Sequence, residues 1–280
     1  MNSLKTVGLL AFMTALLFGL VYAIGGNIVL ALGIAFAFSF LAYFFSDKMA
    51  LASSRAKPVT EEQLPQVYAI VRRLSAQIDM PMPSIHVINS AQPNAFATGR
   101  NPKKAAVAVT SGILDVLSFE ELEGVLAHEL AHVKNRDILI SSIAAMIGAA
   151  ISIVLRFALF FGGGDNRNNP LGIVGVILSL LIAPLAAMLI RFAISRTREF
   201  QADKTGAETT GQPLMLASAL EKISRGTARI PMPVNESTAQ LFIDNPRKAI
   251  KGRGMSKLFS THPPTEERID RLTNMAMGIS

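Results

Sequence analysis

The chain has 280 residues, of which 50% are hydrophobic and only 17% are charged, with a net charge of +7. That is poor in charge for a soluble protein of one or two domains, and the lack of cysteine excludes disulfides, thiol nucleophiles and cysteine-ligated metal. Much of the basic excess flanks apolar segments, so it reads as membrane orientation and not as a nucleic-acid surface.

Two uncharged runs, 7–24 and 28–45, come first, separated by Gly25, Gly26 and Asn27. Each is near the minimum for crossing about 30 Å of hydrocarbon. Together they predict a transmembrane hairpin. A third run covers 138–161, broken only by Arg156, and a fourth covers 171–190; the polar turn "GGGDNRNNP" lies between them. Lys5, Lys48, Arg55, Lys57, Lys134, Arg136, Arg191, Arg196 and Arg198 crowd one side of these runs, against Arg167 in the opposite turns. Both termini and both polar segments are therefore expected in the cytoplasm.

The first polar segment opens with "TEEQ", a capping box at Thr60 and Gln63, and apolar residues follow at helical spacing from Leu64 to Ile78. "MPMP" ends that helix. "SIHVI" and "KAAVAVT" read as short strands flanking the connection "NSAQPNAFATGRNP", with His86 a structural strand residue. "SFEE" is a second capping box, Ser118 with Glu121, and starts the helix bearing His128 and His132. In the second polar segment, Gly211 and Pro213 break a helix that leaves the fourth run. Residues 226–259 read as a long mobile loop, and "THPPTEERIDRL" enters a final short helix.

The chemistry sits in "HELAH". At spacing four, His128 and His132 share a helix face, close enough for both imidazoles to bind one zinc ion. Glu129 stands where it can take the proton of a water that zinc activates. A catalytic zinc needs a third ligand, and with no further histidine at a suitable spacing a carboxylate is expected. Two pairs fit E-x-x-x-D: Glu199 with Asp203, and Glu266 with Asp270. Spacing alone does not separate them. Membrane geometry favours Glu199: at ~1.5 Å per residue, the hairpin of the third and fourth runs brings His132 and Glu199 to matching heights of ~9–14 Å. Asp203 then shares a helix face with Glu199 and can accept the free N–H of a ligand imidazole. Asp137 reads as the end of the catalytic helix.

"HELAH", "REFQAD", "NAFATG" and "THPPTEERI", in this order among four hydrophobic runs, resemble the HtpX family of membrane-bound zinc metalloproteases, relatives of the CAAX prenyl proteases. The resemblance spans almost the whole chain. It implies one Zn²⁺ per chain on His128, His132 and Glu199, with Glu129 as base. It also implies a gluzincin-like endopeptidase acting in bacterial membrane-protein quality control and stress response. Its partners would be the lipid bilayer and membrane-protein or unfolded substrates shared with other membrane proteases, and no nucleic acid. The expected fold is mainly α: about four transmembrane helices plus a cytoplasmic α+β zincin-like domain with a small β-sheet. The domain boundaries are 1–45 and 138–190 for the hairpins, 46–137 and 191–280 for the two parts of the catalytic domain. Asn94 becomes a candidate for substrate-backbone or oxyanion contact, because an edge strand in such proteases can pair with an extended substrate. His262 becomes a candidate oxyanion donor. A zinc transporter is disfavoured, since the four runs contain no His, Asp or Glu. A closed structural zinc would need a fourth protein ligand that nothing obvious supplies.

Overall fold

The computed structural model describes residues 2–23, 27–143, 196–234, 236–249 and 263–279. Helices α1 (Asn2–Ala23) and α2 (Ile28–Ser53) pack against each other, as the first predicted hairpin requires. Asn27 caps α2 by accepting the Leu30 N–H at 2.7 Å. The buried residues of α2 are small (Ala31, Ala35, Ala42, Ser46 and Ala50), whereas Phe36, Phe40 and Phe44 are exposed. A water-soluble helix would bury those rings. In lipid, small residues at the interface allow close helix approach and large ones face the acyl chains. Among the described residues, α2 is the one helix long and apolar enough to cross a membrane. The third and fourth predicted runs, with Arg156 and Arg167, lie outside the described residues except for 138–143.

A four-stranded sheet follows: β1 (Lys57–Pro58), β2 (Ser84–Ile88), β3 (Ala95–Gly99) and β4 (Ala105–Thr110), in the order β1-β2-β4-β3. β2 and β4 run parallel, and the outer pairs are antiparallel. β3 was expected to be part of a connection. It and β4 are buried on both faces, so neither shows the apolar–polar alternation that marks a half-exposed strand. Helix α3 (Pro65–Gln77) starts with proline at its first position, while the Gln63 side chain accepts the Thr60 N–H one turn earlier.

One sheet face, carrying Ile85, Val107, Val109 and Ala97, packs on Val71 and Leu74 of α3 and on Leu126 and Leu130 of the helix bearing "HELAH". The other face, with Ile88, Phe96 and Ala108, packs on Ala50 of α2 and on Leu241 and Phe242. The rings of Phe96 and Phe242 meet edge-to-face at 4.9 Å, worth about 1 kcal/mol beyond their burial. The end of the apolar helix is thus docked directly beneath the sheet.

Helix α4 (Ser111–Val116) leads to α5 (Phe119–Lys134), whose capping box has both of its bonds. α5 does not run straight into the third apolar run: it is interrupted at Arg136, which is left-handed at φ 59. There the chain turns and restarts as α6 (137–143). After the undescribed 144–195 come α7 (Arg196–Thr210), α8 (Pro213–Arg229), the short α9 (Glu236–Ala239) and α10 (Thr265–Ala276). The mobile loop expected over 226–259 is corrected in its first part. α8 continues to Arg229, Leu241 and Phe242 are buried because the second sheet face needs a cover, and Ile243 joins the core on the other face. α7 lies along α5 at close range: a Cβ on Gly206 would stand 2.9 Å from the His128 main-chain nitrogen. Only glycine permits that approach without moving backbone.

Candidate active site

α5 and α7 together assemble a cluster from segments seventy residues apart. One ligand-type atom from each of His128, His132 and Glu199 lies within 4.8 Å of the others. His132 Nε2 is 3.5 Å from Glu199 Oε1, and His128 Nε2 is 3.9 Å from Glu199 Oε2. Tetrahedral metal bonds of about 2.0–2.1 Å would put ligand atoms about 3.3 Å apart. The three groups therefore fit one small cation with modest tightening.

The other nitrogen of each imidazole faces a carboxylate. His128 Nδ1 is 2.9 Å from Asp203 Oδ1, and His132 Nδ1 is 3.4 Å from Asp137 Oδ2. An Nδ1–H donated to a carboxylate leaves Nε2 unprotonated and free to bind. Both carboxylates are braced by arginine. Arg268 of α10 donates to Asp203 through Nε at 2.8 Å and Nη2 at 2.6 Å, and to the Ile243 carbonyl at 3.2 Å. Arg198 Nη1 lies 3.3 Å from Asp137 Oδ1.

Burial pushes the Asp203 carboxyl up, but the Arg268 guanidinium, aided by His128, pulls it further down, to about 2. It stays a charged acceptor at any working pH. Burial likewise disfavours charge on His132, yet the Glu199, Asp137 and Glu129 carboxylates outweigh it and raise the metal-free imidazole to about 9. The cluster is short of positive charge, as expected of a cation site. Glu129 is almost fully buried, and this burial raises its carboxyl above the usual range, against the pull of His128, His132 and the Ala97 main chain.

These groups surround a cavity of about 30 Å³, with Ala97, Ile138, Ser141, Gln240, Leu241 and Ile243 completing its wall. That is room for a water or two, not for a peptide. Ala97 belongs to β3, the strand at the sheet edge.

The model of peptidase family M48 matches residues 61–276. The chain belongs to peptidase family M48. It is 50% identical, over 279 residues and 98% of each chain, to a protease HtpX homolog from Methylibium petroleiphilum. Its fold is similar to the crystal structure of S. mikatae Ste24p, with a TM-score of 0.53 and 18% identity. That alignment covers 97% of this chain and 65% of Ste24p, so the chain spans just under two thirds of that protein. The expected HtpX resemblance therefore holds, and the chain is a membrane-associated metallopeptidase.

Within this M48 chain the competing pair separates clearly: Glu266 and Asp270 are exposed on α10, whereas Glu199 and Asp203 are buried in the cluster. Asn94 is wholly buried. Its Nδ2 donates to the Asp244 carbonyl at 2.8 Å, and its Oδ1 accepts the Ala95 N–H at 3.1 Å. His262 lies outside the described residues. Two roles go beyond the sequence reading: Arg268 is absent from it, and Asp137, expected to end the catalytic helix, instead lies past the end of that helix at Lys134. Arg268 had a signal: it is a charge at i, i+4 from Leu272, on the buried side of a short helix. Asp137 had a weaker one, an acid five residues past His132 at the mouth of an apolar run.

Proposed function

We propose that the chain is a membrane-embedded zinc endopeptidase that cuts misfolded or damaged membrane proteins on the cytoplasmic side of a bacterial inner membrane. The observation that carries this reading is the trio His128, His132 and Glu199 around one point, with the buried Glu129 beside it. A zinc ion held by that trio would supply Lewis acidity toward the scissile carbonyl and toward water. The chain's residues do the rest. Glu129, buried and raised in pKa, accepts the water proton at its carboxylate and later returns it to the leaving amine. Asp203 and Asp137 hold the two imidazoles in the Nδ1–H form. The β3 edge from Ala97 onward offers main-chain groups to an extended substrate, which needs no particular side chains for such pairing. Asn94 serves this edge by fixing the start of β3 against residue 244. His262 remains the proposed oxyanion donor.

The bilayer part of the reading draws on α2, the membrane-type helix under the sheet, and on cavity residues Ile138 and Ser141, which begin the third apolar run. The test is the Glu129→Gln protein, purified in detergent. It should keep one zinc per chain and lose at least about 1,000-fold in cleavage of an unfolded membrane substrate. Cleavage at the wild-type rate would remove Glu129 from the mechanism.

A further inference from the structure

The segment 238–244 is a strap over the metal cavity, and its two ends are tied. At one end, the Thr238 hydroxyl shares a 2.8 Å hydrogen bond with Ser53, at the end of α2. At the other, the Ile243 N–H donates to the Ala95 carbonyl at 2.9 Å, and the Asp244 main chain bonds Asn94. The Asp244 carboxylate accepts from Thr227, and Lys248 Nζ stands 2.6 Å from it. Phe242 is locked on Phe96. The strap therefore occupies the β3 edge at Ala95, and the next outward-facing position, Ala97, lies in the wall of the cavity, where its N–H bonds Glu129 and its carbonyl faces the same edge.

Gln240 and Leu241 lie between the tied ends and line that same cavity. Gln240 differs from its neighbours in one respect. Its Oε1 is buried and has no hydrogen-bond partner among the described residues, although Thr238 and Asp244 on either side are engaged. A buried acceptor without a donor is destabilising, and native proteins retain one where an ordered water or a ligand that displaces it supplies the missing bond. The missing group is an N–H or O–H donor, and an extended polypeptide brings a row of main-chain N–H groups. Of the other side-chain amides near the strap, Asn94 is already spent on the protein's own main chain, and Gln92, which donates to the Ile230 and Pro246 carbonyls and whose Oε1 also lacks a partner among the described residues, does not line the cavity.

We infer that Gln240 is a substrate-contact residue, its side-chain amide binding a main-chain N–H of a polypeptide lying between the strap and β3. This rests on the endopeptidase reading and deepens it. The bound chain is gripped from both sides through its backbone, by the β3 edge from the Ala97 carbonyl onward on one flank and Gln240 on the other. The ligand class is thus any unfolded segment narrow enough for the slot, with little demand on its side chains. The slot must widen from its present volume to admit it, and Gln240 rides on the part of the strap that is not tied.

The experiment compares full-length, zinc-loaded wild type, Gln240→Ala, Gln240→Met and Glu129→Gln, in detergent. The substrates are one cleavable peptide and derivatives N-methylated at a single main-chain nitrogen each. Both Gln240 variants should raise KM roughly tenfold, the worth of one hydrogen bond, with zinc content unchanged and Tm of the Met variant not lowered. The volume-preserving Met variant serves if Ala collapses the strap. One N-methylation should slow wild type but cost the Gln240 variants nothing further, because the partner is already gone. Equal KM in wild type and Gln240→Met, or the same N-methylation penalties in both, would overturn the inference. Cleavage by Glu129→Gln at the wild-type rate would instead overturn the endopeptidase reading beneath it.

Discussion

Two carboxylates decide which nitrogen each histidine offers. Asp203 sits 2.9 Å from His128 Nδ1 and is itself clamped by Arg268, so the His128 tautomer is tightly fixed. Asp137 reaches His132 at a longer 3.4 Å and is braced through Arg198. The difference is measurable. Asp203→Ala should weaken zinc binding by about 10–100-fold, and Asp137→Ala by less, in competition with a chelator of known affinity. Wild-type affinity in Asp203→Ala would mean that the carboxylate does not orient the ligand. At this scale "HELAH" was legible because both its ligands and its base are fixed by local helix geometry. Glu199 and Asp203 needed the hairpin argument as well. Gln240 was not legible and Arg268 only faintly, through its spacing from Leu272, since what matters in each is burial, and burial is decided by segments far away in sequence.

Helix α5 carries the site and is itself anchored by its first turn. The Ser118 N–H donates to Glu121 Oε2 at 2.8 Å, the Ser218 hydroxyl donates to Oε1 at 2.6 Å, and Lys222 Nζ lies 2.8 Å from Oε2. One carboxylate thus completes the cap and pins α5 to α8. Burial raises the Glu121 pKa, but the bonds from Lys222, Ser218 and Ser118 outweigh it, and the carboxyl is held below its ordinary range. A depressed folded-state value gives stability that is present above the unfolded pKa and lost as pH falls through the folded one. Glu121→Gln should therefore cost about 1–3 kcal/mol at neutral pH, and the gap to wild type should narrow below about pH 4. Chemical denaturation at pH 7 and pH 3 reads this directly, and a gap that persists at pH 3 would contradict it. The cap was readable because Ser118 and Glu121 stand at fixed local spacing. β3 was not, because a strand buried on both faces carries no alternation. The strap was hidden for a related reason: "QLFI" looks like an apolar interlude in a loop until the sheet face it covers is known.

For the whole molecule, the apolar runs predict two hairpins and a site carried between them. α1 and α2 pair as the first predicted hairpin would, and α2, the one membrane-length apolar helix among the described residues, ends against Phe96 and Ala108 of the sheet. The second lies outside the described residues beyond 143; Glu199 and His132 do meet, 3.5 Å apart, although α5 turns at Arg136. Matching heights did not require a straight rod; they required only that α5 and α7 lie side by side, which Gly206 permits. The central claim is that a metal centre is built across this junction from His128, His132 and Glu199. The most direct test is X-ray absorption at the zinc edge on the purified full-length chain, alongside Glu199→Ala and Glu266→Ala. The account predicts two imidazoles and one carboxylate on zinc in wild type and in Glu266→Ala, with the carboxylate lost in Glu199→Ala. An unchanged zinc environment in Glu199→Ala, or one disrupted in Glu266→Ala, would contradict it.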